Sequence, residues 1–75
     1  MGTVETLASE LAEDTMSLMK DTGNDRLYVE VGDVLGAASQ SLEEAYLTEV
    51  RVRLAARGAR NFLANKRAAL PKPPE

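Results

Sequence analysis

Residues 31–70 read VGDVLGAASQSLEEAYLTEVRVRLAARGARNFLANKRAAL, and their spacing decides the fold class. Val31, Leu35, Ala38, Leu42, Ala45, Glu49, Val52, Ala56, Ala59, Leu63, Lys66 and Leu70 recur at alternating steps of four and three. Only Glu49 and Lys66 interrupt the apolar rule. A period near 3.5 held in phase this long predicts a coiled-coil seam on one long helix over 26–67. Val31 through Leu63 are the expected self-association seam.

Three features oppose an unbroken helix. Gly32, Gly36 and Gly58 each cost about 1 kcal/mol relative to Ala in a helix interior. Ser41-Leu42-Glu43-Glu44 reads as a capping box, so a helix could restart at Ser41 after a kink near Ser39. Leu27-Tyr28-Val29-Glu30-Val31 alternates and is β-prone, and a strand there would have to pair with a second copy. The in-phase seam favours helix.

Upstream, residues 3–20 form an amphipathic pattern, with Val4, Leu7, Ala8, Leu11, Thr15, Leu18 and Met19 on one face. Thr3 is the expected N-cap. Residues 21–25, Asp-Thr-Gly-Asn-Asp, form the one clear turn, where Gly23 suits a left-handed C-cap and Asn24 or Asp25 can cap the next helix. At the other end, 71–75 hold three prolines and are expected to form a flexible tail. The predicted fold is all-α: a single domain over 1–70 built as a helical hairpin of a short and a long helix. At ~1.5 Å per residue the long helix spans about 60 Å, and the short one covers less than half of it. That leaves roughly residues 45–67 for something else to bury, and a dimeric helical bundle or coiled coil is expected.

Composition narrows the function. The chain has 75 residues, no Cys and no His. Disulfides, thiolate metal sites and the commonest general base are therefore unavailable. Asp21-x-Gly23-x-Asp25 is not a calcium loop, because Arg26 and Gly32 stand where Gly and a bidentate Glu are needed. No cofactor, metal or catalytic set is expected, and the chain reads as non-enzymatic. No segment approaches the ~20 apolar residues of a membrane span, and no signal peptide pattern is present, so the expected compartment is the cytoplasm.

The net charge of −3 conceals an asymmetry: residues 1–50 carry −9 and residues 51–75 carry +6. Arg53, Arg60 and Arg67 repeat every seven residues beside the seam, with Arg57 one turn from Arg53. Such charges usually pair with carboxylates of a neighbouring helix and set its orientation. Exposed, they form a ridge suited to phosphates or to an acidic protein. Arg53, Arg57, Arg60, Phe62 and Arg67 are thus the candidate partner-binding residues. Glu49 on the seam can pair with Arg53 at i,i+4. The expected role is a small interaction protein, such as an adaptor, regulatory subunit or assembly factor, acting through self-association and an exposed long helix. A protein partner is favoured. A nucleic-acid-associated regulator is the alternative, disfavoured by the acidic pI of about 4.9.

Overall fold

The computed structural model describes residues 2–71, and among these the chain is all-helical with no strand. It has three helices: α1 (Thr3–Thr22), α2 (Leu27–Ala38) and α3 (Gln40–Ala68). The tail expected at 71–75 lies, beyond Pro71, outside the described residues.

The long helix expected over 26–67 is broken. Ser39 is extended and does two jobs at once. Its N–H donates to the Leu35 carbonyl at 2.7 Å, closing α2. Its Oγ accepts from Leu42 N–H at 3.2 Å, capping α3. The cap therefore sits two residues before the expected Ser41. The seam stays in phase across the break because one extended residue is all the break requires. Ser39→Ala is expected to cost about 1 kcal/mol by urea unfolding. Ser41→Ala, at an exposed position inside the helix, should change stability by less than ~0.5 kcal/mol.

α2 folds back on α3 at this corner, and such a sharp return needs small side chains where the helices meet. Gly36 faces the Glu43 carboxylate, and Gly32 faces Leu47 and the Tyr46 ring. The β-prone stretch after Arg26 is helical because Tyr28, Val31, Gly32 and Leu35 then share one face against α3. Burial there outweighs local strand preference.

The N-cap of α1 is Gly2 rather than the expected Thr3, which is the first helical residue. The helix runs two residues past the expected end, to Thr22. Gly23 then takes φ +71° and donates its N–H to the Met19 carbonyl at 2.9 Å, closing the helix in a conformation that a side chain disfavours. Asn24 organises the turn, accepting from Arg26 N–H through Oδ1 and donating to Glu30 through Nδ2.

The core is small. Ala8, Ala12, Tyr46 and Val50 are fully buried, and Met19 and Thr15 nearly so. The smallest side chains of α1 face inward because they admit the Tyr46 ring between the helices. Val4, Leu7 and Leu18, expected on the buried face, are 37%, 42% and 50% exposed. On α3 the inward line starts at seam residue Leu42 but runs on through buried Tyr46 and Val50 to half-buried Leu54, none of which belongs to the predicted seam.

Candidate interaction surface

Tyr46 ties the three helices together. Its ring comes from α3, and its hydroxyl reaches Thr15 Oγ1 of α1 at 3.0 Å and the Tyr28 carbonyl of α2 at 3.3 Å. Thr15 Oγ1 in turn donates to the Leu11 carbonyl at 2.8 Å, which leaves its lone pairs to accept from Tyr46. Burial raises the Tyr46 pKa above its ordinary value. The neutral phenol is the form the fold prefers. Its contribution is thus complete below the unfolded-state pKa of ~10 and is lost as pH rises through the higher folded value. In a Tyr28→Phe background, the phenolate absorbance of Tyr46 should appear only above pH ~10, together with a falling urea midpoint. Titration at the value of an exposed tyrosine, with stability unchanged, would contradict this.

Arg53 forms the second cross-link. Its Nε donates to Glu13, one terminal nitrogen donates to Glu49 Oε1 at 2.8 Å and the Glu49 carbonyl at 3.0 Å, and the other donates to Ser9 Oγ at 3.0 Å. The guanidinium side chain is only 22% exposed. Glu49, then Glu13, hold it more firmly protonated than a free arginine. Arg53 therefore joins α3 to α1 rather than facing a partner, and Glu49 serves the same knot. The expected pairing of a seam-flanking arginine with the first helix holds at this one position, within a single copy and through Glu13.

Beyond Arg53 the covering helices end. Every residue from Arg57 to Pro71 is exposed. The uncovered stretch thus begins near Ala55, not Ala45 as hairpin lengths suggest, because α1 packs alongside α3 as far as Leu54. Its apolar side chains are open to solvent: Val52 61%, Phe62 60%, Leu63 58% and Leu70 67%. Of the predicted seam, Val31, Leu35, Leu42, Ala45, Glu49 and Ala56 are half-buried, whereas Ala38, Val52, Ala59 and Leu63 are exposed. The seam is not one continuous buried line. Its α2 portion and the start of its α3 portion belong to the intramolecular core, and its remainder is an outward stripe.

At roughly 100° per residue, Phe62, Ala59, Leu63 and Val52 share one arc of α3, and exposed Leu70 follows just past its end. Arg60 and Arg67 border that arc, and Arg57 lies further round. Among the described residues none of these three arginines makes an ion pair. Lys66 Nζ sits 5.5 Å from the Phe62 ring centroid, a cation–π contact at an exposed site. A shallow groove beside the base of the projection is lined by Glu13, Met16, Glu49, Val52, Arg53, Ala56, Arg57 and Arg60. Among the described residues no cluster of three acidic side chains is placed to hold a metal ion, and no helix is long and apolar enough to cross a membrane.

The Glu49–Arg53 pair and the inward side of Thr15 are expected from the sequence; the Tyr46–Thr15 hydrogen bond that joins α3 to α1 is not. The signal was present in the i,i+4 run of Leu42, Tyr46, Val50 and Leu54, a second apolar stripe on the same helix. No family model, curated protein or solved structure matches the chain.

Proposed function

We propose that this chain is a small non-enzymatic interaction protein, an adaptor, regulatory subunit or assembly factor, whose working element is the projecting half of α3. We place it in the cytoplasm, the compartment expected of a chain without cysteine. The observation that carries this reading is the uncovered stretch itself. Arg57 to Pro71 is helical through Ala68, lies outside the core and still presents Phe62 and Leu63 on one face with arginines beside them. A helix with an apolar stripe gains its stability mainly by packing that stripe, and exposed aromatic and arginine side chains are typical binding anchors.

The test is a photo-cross-linking residue at Phe62, used in cells that naturally make the protein. A cross-link to a protein, this chain or another, supports a docking role. Absence of any protein cross-link, with the probe shown to be photoactive, removes it.

The exposure of Arg57, Arg60 and Arg67 favours a second reading, a nucleic-acid-associated regulator. It requires binding to duplex DNA or single-stranded RNA that weakens steeply with salt. Arg57→Gln, Arg60→Gln and Arg67→Gln together should then abolish binding with helicity intact. Arg53 is left out because its loss would disturb the fold. No binding at low salt would end this reading.

A further inference from the structure

We infer that the surface receiving the α3 projection is the exposed leucine edge of α1 in a second copy of this chain. This deepens the docking reading above and rests on it.

On α1, Val4, Leu7 and Leu18 are exposed with half-buried Leu11 between them, on one arc beside the Ala8–Ala12–Thr15–Met19 core line. Glu10 and Asp14 border that arc on the side away from the core, by helical spacing. The α1 edge is thus an apolar strip with an acidic border, and the α3 edge an apolar strip with Lys66 within it and arginines beside it. Among the described residues α2 offers only Val34 as a large exposed apolar side chain.

Charge selects the pairing. Two α3 projections laid together would oppose like charges, since residues 51–71 hold six bases and no acid. Two α1 edges would likewise oppose Glu10 and Asp14. Pairing α3 with α1 brings opposite signs together, and opposite-sign borders select register and partner more than they add affinity. Every copy carries one of each edge, so two copies close the contact reciprocally and leave neither edge open.

A compact chain of this 8.1 kDa mass exposes about 4,500 Å², and this one, with a helix end left uncovered, exposes 5835 Å².

The test uses two complementary variants of the full chain, Arg60→Glu with Arg67→Glu, and Glu10→Lys with Asp14→Lys. All four positions are exposed, so circular dichroism should match the wild type. Wild type is expected to be dimeric. Each variant alone should dissociate with a constant raised by about tenfold or more. Their equimolar mixture should regain the dimer, read as the mixed mass by native mass spectrometry. Variants that stay dimeric, or a mixture that stays monomeric, would overturn the α3–α1 pairing. Wild type that is monomeric at about 100 μM, far above a typical μM dissociation constant, would also overturn it. If the Phe62 probe then captures a different protein, the docking reading survives and only the second-copy occupant falls. If it captures nothing, both fall.

Discussion

Tyr46→Ala is expected to remove most of the stability of the domain. The ring is fully buried between three helices, and its hydroxyl bonds two of them. Truncating a buried aromatic to Ala costs about 3–5 kcal/mol. A chain of 75 residues has about 4–11 kcal/mol to lose. The alanine variant should therefore unfold at a much lower urea concentration, or lack a cooperative transition if the wild type lies near the low end of that range. Tyr46→Phe separates the two contributions. It keeps the packing and loses the hydroxyl, at a cost of about 1–2 kcal/mol. Thr15 should tolerate the change, because its own hydroxyl still donates to the Leu11 carbonyl. Urea unfolding followed by circular dichroism at one fixed protein concentration reads both values. A Tyr46→Ala variant within ~1 kcal/mol of wild type would mean that the three helices do not depend on this ring.

The second large effect runs against simple hydrophobicity. Ala12→Leu adds apolar surface to a helix, yet it is expected to destabilise by about 1–3 kcal/mol. Ala12 has no exposed surface and sits in the core cluster with Tyr46 and Val50, so no space receives the added methyl groups. The helices must part, and parting them strains the Arg53 bonds to Ser9 and Glu13 as well. The same substitution at exposed Ala64 or Ala68, off the proposed docking arc, should be nearly neutral, since helix propensity differs little between Ala and Leu. Urea unfolding of the three variants gives the comparison, and equal effects at buried and exposed sites would contradict the packing described.

The all-helical class is legible from periodicity, because a 3.5-residue repeat sustained over dozens of residues fits a helix and not a strand. Gly23 marks the end of α1 because few residues adopt left-handed backbone, whereas neither Asn24 nor Asp25 caps α2, whose N-cap is Arg26 without a side-chain bond; Asn24 holds the turn instead. The break at Ser39 is harder to see. The capping-box pattern marks a kink near Ser39 but puts the cap at Ser41, while the unbroken four-three spacing favours a continuous helix from Ala38 to Leu42. The choice of stripe is harder still. α3 carries two apolar lines, Leu42–Tyr46–Val50–Leu54 and Val52–Ala59–Leu63, and local spacing does not say which one faces α1. The answer lies in volume complementarity: Ala8 and Ala12 leave room for a tyrosine. That pairing spans more than thirty positions of sequence. Arg53 is misread for a related reason. Its heptad relation to Arg60 and Arg67 is real, but the reach of α1 along α3 decides that one arginine is covered and the other two are not.

For function, the consequence is a division of α3 into a half that holds the fold and a half that leaves it. Light scattering coupled to size-exclusion chromatography of the wild-type chain at tens of micromolar tests the proposed self-association most directly. A well-folded particle of twice the 8.1 kDa chain mass, falling to one chain when Phe62 and Leu63 are both replaced by Asp, is the predicted result. A monodisperse, fully helical monomer of 8.1 kDa across that range would contradict it.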